Sequence, residues 1–120
     1  MIRYVFLVFL FFLSSVSFGQ FSEPLIFREK IHDFGNIVEQ DGPATFEFVV
    51  SNKSTRPVKI VNVQPSCGCT TPDWTKEPIA VNATGFIKAS YDPKGRPGYF
   101  DKTLTVTTDW DGQPILLRIK

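Results

Sequence analysis

Two cysteines separated by one glycine, Cys67-Gly68-Cys69, are the residues of this chain whose spacing most readily does chemistry, and they are its only cysteines. They follow an apolar run and precede Thr70-Thr71-Pro72, which sets them at a strand end or loop, a frequent place for function. A purely structural staple explains them poorly. Closing a three-residue loop removes roughly 1.6 kcal/mol of unfolded-state entropy at most. Residues this close reach a disulfide's Cα separation only on a bent backbone, which makes the bond easier to reduce. Three readings stay open. The first is two thiols packed as small apolar groups. The second is a local Cys67–Cys69 disulfide that shapes the loop or cycles its redox state. The third is soft-metal binding, copper(I) above all, by two thiolates converging on one ion. Beyond the initiator the chain has no Met, so copper would need His32, the one histidine, brought close by the fold, or a second molecule. Zinc suits the chain less, because a structural site takes four ligands and at most three are on offer.

Other candidates read as structure. His32-Asp33-Phe34-Gly35 suggests a catalytic pair, but neighbours on a strand point to opposite faces, so His32 and Asp33 form no dyad there. Phe34 is expected in the core, Gly35 in a turn, and Asp33 or His32 on nearby backbone groups. Asp109-Trp110-Asp111-Gly112 lacks the remaining ligands of a calcium loop and reads as a hairpin turn. Asn52-Lys53-Ser54 and Asn82-Ala83-Thr84 fit the glycosylation pattern but are read as turns, and Lys94 to Arg96 as a solvated tip. Trp74 and Trp110 either anchor a partner or fold back as lids over the ends of the domain.

The elements that must position these residues are short and alternate in character. Ala44–Ser51 puts Phe46, Phe48 and Val50 on one face, and Gly85–Tyr91 puts Ile87, Ala89 and Tyr91 together. Lys102–Thr108 turns Leu104 and Val106 inward, and Ile115–Ile119 does the same with Ile115, Leu117 and Ile119. All four are half-buried strands by pattern and propensity. Val58–Val63 changes phase midway, which predicts a bulge or two covered faces, and in either case a central strand. Weaker strands are expected at Leu25–Glu29 and around Ile79-Ala80. Turns fall at Asn52–Pro57, Asp92–Gly98 and Asp109–Pro114. No stretch shows helical spacing over 10 to 12 residues. Six or seven strands in roughly 100 residues make an all-β, immunoglobulin-like sandwich of Greek-key type.

The first residues read as an export signal. Arg3 precedes the apolar run Val5–Leu13, and Ser17 and Gly19 supply the small residues that signal peptidase requires. The run is about nine residues long, short of the roughly 20 that span a bilayer. Cleavage is therefore expected after Gly19, leaving residues 20–120 as one domain with no membrane span, periplasmic or secreted. Without Arg3 the mature chain carries 12 basic and 12 acidic residues. That balance, with no clustered basic run, argues against nucleic acid and anionic membranes as partners.

With the strands placed, His32-Asp33-Phe34-Gly35-Asn36-Ile37, Phe46-Glu47-Phe48 with Ser51-Asn52, Ser66-Cys67-Gly68-Cys69-Thr70-Thr71-Pro72, and Tyr91-Asp92 through Gly95 and Gly98 to Phe100 and Lys102 form a series. The series closely resembles the bacterial domain-of-unknown-function 1573 family, itself similar to Hydin-type (ASH) and major-sperm-protein-like domains. Cys-Gly-Cys-Thr is its most specific part. The resemblance implies a seven-stranded immunoglobulin-like sandwich exported from a bacterial cell, and no activity. The expected function is a non-catalytic interaction module, without a cofactor, that presents loops or an edge strand to another envelope protein. The competing expectation centres on Cys67 and Cys69 as a thiol–disulfide or copper(I) site. His32, Asp33, Gly68, Thr70, Trp74 and Trp110 complete the candidate residues.

Overall fold

The computed structural model describes residues 15, 23–110 and 112–120. The export segment (apart from Ser15) and its cleavage point lie outside the described residues, as does Asp111. No helix among the described residues is long and apolar enough to cross a membrane.

Among the described residues eight strands form: β1 (Leu25–Phe27), β2 (Ile31–His32), β3 (Ala44–Asn52), β4 (Ile60–Pro65), β5 (Thr70–Trp74), β6 (Thr84–Tyr91), β7 (Lys102–Thr108) and β8 (Ile115–Ile119). One sheet has the order β1-β3-β6-β5 and the other β2-β8-β7-β4. This is the constant-type immunoglobulin arrangement, with the opening strand split between the sheets. β1 pairs antiparallel with β3, while β2 runs parallel to β8. The expected sandwich is thus what forms, with one strand more than the seven anticipated.

Alternation along the chain makes the core. Phe48 and Val50 from β3, Ile87, Ala89 and Tyr91 from β6, Leu104 and Val106 from β7, and Ile115, Leu117 and Ile119 from β8 are all buried between the sheets. Burying a side chain of this size contributes about 1.5–3 kcal/mol relative to leaving it exposed.

Two expectations need correction. The strand at Val58–Val63 is not central: β4 is the edge of its sheet and pairs only with β7. Its phase change comes from a bulge between Ile60 and Asn62. The bulge lets Ile60 and Val63 both face inward while Val61 stays 48% exposed, so two apolar faces in the sequence did not mean two covered faces. The second concerns β5, which sequence pattern missed because Thr70–Trp74 opens on two threonines and contains Pro72 and Asp73, although its burial alternates. A proline is tolerated there because β5 is also an edge strand. The weak strand expected at Ile79-Ala80 is a single bridge, with Ile79 and Val58 exchanging hydrogen bonds of 2.8 and 3.0 Å.

The register gathers the loops into two groups. Pro65 of β4 lies opposite Leu104, Lys102 opposite Ile119, and Ile119 opposite His32. In the other sheet Tyr91 lies between Ala44 and Thr70. The Cys67–Cys69 turn, residues 33–43, the 92–101 loop and Lys120 therefore share one end of the sandwich. The reversals at 53–57 and 75–83, with residues 109–110 and 112–114, share the other.

Candidate functional site

Cys67, Gly68 and Cys69 make the corner where the chain leaves β4 and enters β5, the edge strands of opposite sheets. The two sulfurs are bonded to each other, and the Cα atoms are 5.3 Å apart, within the usual range for a disulfide. The pair is asymmetric. Cys69 is 3% exposed and belongs to the core, whereas Cys67 is half-buried at its margin. Gly68 is exposed, and a Cβ placed on it would meet nothing within 4 Å. The Cys69 amide donates to Cys67 Sγ at 2.9 Å, and the Thr70 hydroxyl lies 3.9 Å from Cys69 Sγ. Thr70 itself is buried and opens β5.

The corner is also fastened without sulfur. The Ser66 amide donates to Thr103 O at 2.9 Å, and the Thr103 amide donates to Ser66 Oγ at 3.0 Å. The Thr70 amide donates to Cys67 O at 3.2 Å, and the Asp92 amide to Cys69 O at 2.9 Å.

His32 is not brought to this corner. β2 and β4 are opposite edges of one sheet with β8 and β7 between them, which puts about 14 Å between their backbones at ordinary strand spacing. The histidine ring instead stacks on Phe46, centroids 3.6 Å apart, with its neighbour Phe34 edge-on at 4.7 Å. Asp33 Oδ1 accepts from the Gly35 amide at 2.7 Å, closing a turn in which Gly35 takes φ +67°. Among the described residues, no group of three or more His, Cys, Asp and Glu side chains converges to hold a metal ion.

The tryptophans lie at the other end. Trp74 closes β5 opposite Ile87, packs against the core, and carries Lys76 Nζ 3.0 Å above its ring. Trp110 also packs against the core, under the Arg56 guanidinium at 4.4 Å. Both rings are half-buried lids topped by a cation, an attractive arrangement for an aromatic face.

One concavity was missed by sequence reasoning. A cleft of about 710 Å³ opens at the Cys67–Cys69 end, walled by Asp33 to Glu39 on one side and by Pro93 to Phe100 on the other, with Tyr91 and Lys120 also lining it. Its floor is the ring of Phe100 stacked on Tyr91 at 4.0 Å. The walls are tied across it, since the Gly95 amide donates to Glu39 Oε1 at 2.9 Å. The base of the second wall is held by Arg118, whose guanidinium makes a two-pronged ion pair with Asp101. Those hydrogen bonds are the main reason the Asp101 carboxyl titrates below its ordinary value. At the rim Tyr99 is 84% exposed, its hydroxyl donating only a long bond of 3.4 Å to Asp101. The available signal was the sequence Gly98-Tyr99-Phe100, two aromatics on a Pro- and Gly-rich reversal with no strand to bury both.

A solved structure from Porphyromonas gingivalis W83, described as a protein of unknown function, has the same fold at TM-score 0.68 and 11% identity. That likeness covers 79% of this chain and 44% of the other, so the chain spans less than half of its solved neighbour's length. No curated protein matches the chain. The profile of the family described as "Protein of unknown function (DUF1573)" matches residues 25–120, and the chain belongs to that family.

Proposed function

We propose that this chain is an exported, non-catalytic β-sandwich module that docks a protein segment of the bacterial envelope in the cleft between residues 33–39 and 93–100. One observation carries the reading: Tyr99 is held 84% exposed at the rim of a pre-shaped cleft whose floor is already aromatic. A large aromatic left in water beside an apolar floor is the usual makings of a binding anchor. The lining mixes Asp33 and Glu39 with Arg96 and Lys120, a balance that suits a polypeptide better than a polyanion. The cleft offers no paired acid and base or activated nucleophile, and the reading needs no cofactor. The signal-like residues 1–19 support export to the periplasm or beyond.

The test compares the full chain with its Tyr99→Ser and Thr55→Ser variants in cells treated with an amine-reactive crosslinker. Thr55 is exposed at the opposite end. An aromatic anchor is worth about 2 kcal/mol, so Tyr99→Ser weakens docking roughly 30-fold and its adduct disappears, while Thr55→Ser keeps it. Equal adducts from both variants contradict the cleft, and no adduct from the unaltered chain contradicts docking itself.

A further inference from the structure

We infer that the Cys67–Cys69 disulfide is a thiol–disulfide exchange site that accepts two electrons from a protein dithiol, with Cys67 as the attacked sulfur. The bond contributes little to holding the fold. Its ring closes over two residue steps, so it removes roughly 1.6 kcal/mol of unfolded-state entropy at most. The corner keeps four hydrogen bonds through Ser66, Thr70 and Asp92 when the sulfurs part. The bond can therefore open and close on a fold that stays in place.

Burial sets the direction of attack. Cys69 is 3% exposed, while Cys67 is half-buried beside an exposed glycine with open space over it. An incoming thiolate reaches Cys67 Sγ and forms a mixed disulfide, the Cys67–Cys69 bond breaks, and Cys69 leaves as a thiolate. The second thiolate of the same dithiol then attacks its own partner sulfur in the mixed disulfide, and Cys67 leaves. The dithiol has lost two electrons and two protons to become a disulfide, and the domain has gained both as two thiols.

Each departing sulfur has a donor in place. The Thr70 hydroxyl, 3.9 Å from Cys69 Sγ, can turn its proton to the first thiolate. The Cys69 amide, 2.9 Å from Cys67 Sγ, already points at the second. Hydrogen bonds to a leaving thiolate lower its pKa and speed exchange.

The experiment uses the intact oxidised protein and a reduced two-cysteine peptide at neutral pH, followed by mass and circular dichroism. The expected result is one peptide disulfide formed per domain, a gain of two hydrogens by the domain, and an unchanged β spectrum. Cys69→Ser, which keeps the attacked sulfur, should form mixed disulfides with an aromatic disulfide reagent, releasing one reagent thiolate, at least about tenfold faster than Cys67→Ser, and should accumulate protein adducts in cells that Cys67→Ser does not. Either of two results overturns the inference: no transfer to the oxidised domain, or equal trapping by the two variants. Loss of the β spectrum on reduction would do the same, by making the bond structural. This inference and the docking proposal fail separately, because a Cys67→Ser/Cys69→Ser chain that still crosslinks through the cleft leaves docking intact.

Discussion

Asn52 is the residue whose replacement tests the fold's polar construction most sharply. It is completely buried at the end of β3, and its side-chain amide uses its hydrogen-bonding capacity on one loop cluster. Nδ2 donates to Arg56 O at 2.9 Å and to Ile79 O at 2.8 Å. Oδ1 accepts from the Ser54 amide at 2.9 Å and from the Ser54 hydroxyl at 2.6 Å. The two reversals at that end, 53–57 and 75–83, are thus joined through one side chain. Asn52→Ala removes four bonds worth about 1 kcal/mol each. Two losses are softened, because the Ser54 hydroxyl, with one proton to give, is freed to donate to Arg56 O at 2.8 Å, and Ile79 O keeps the Val58 amide. The net cost is about 3 kcal/mol, which lowers the melting temperature of a domain this size by about 12–24 °C. Asn52→Asp should cost more at neutral pH, since it turns an acceptor toward two carbonyl oxygens. Urea unfolding measures the effect as a shift in midpoint at unchanged slope. A loss below about 1 kcal/mol for Asn52→Ala would refute the reasoning, because that is the size of one ordinary hydrogen bond rather than a shared one.

A Cβ on Gly85 would come within 2.6 Å of Ile79 Cδ1 and 3.0 Å of Thr75 Oγ1, with Ile79 buried and bridged to Val58. Gly85→Ala should therefore cost about 1–3 kcal/mol in urea unfolding, and Ile79→Val should be less damaging in that background than alone. Gly68→Ala, by contrast, should leave stability within about 0.5 kcal/mol, because no neighbour lies within 4 Å of the new methyl group. For Asp101 the carboxyl's pKa is lowered, first by the Arg118 hydrogen bonds and against the opposing effect of burial, so its contribution is full above the unfolded value near 3.8. That contribution vanishes as pH falls through the lower folded value, and Asp101→Asn should flatten the acid side of the stability profile. An unchanged acid slope in the variant would remove the Arg118 pair from the account.

Sequence alternation was sufficient wherever a strand had one wet and one dry face, as at Lys102–Thr108 and Ile115–Ile119, whose bounds match β7 and β8. It failed at the edges. β5 alternates in burial, with Thr70, Pro72 and Trp74 inward, but its inward residues are not a recognisable apolar set, and Pro72 reads as a breaker although the open edge tolerates it. β4 misled in the opposite way, its bulge bringing two apolar phases to one face. The Cys67-Gly68-Cys69 turn was legible as chemistry, but its burial asymmetry was not, because that depends on Cys69 entering the core where the chain changes sheets. The cleft was invisible for a similar reason: Glu39 and Gly95 are far apart in the chain and meet only when both sheets are assembled. The buried Asn52 was masked by its own neighbours, since Asn52-Lys53-Ser54 looks like a surface signal until the amide is seen to be fully engaged.

The most direct measurement of the docking claim places a photoreactive amino acid at position 99 or at position 55 of the full chain and irradiates living cells. Position 99 should give one discrete protein adduct in the envelope fraction, and position 55, at the far end of the sandwich, should give none. An adduct from position 55 alone, or the same set from both ends, would contradict a cleft-end docking module.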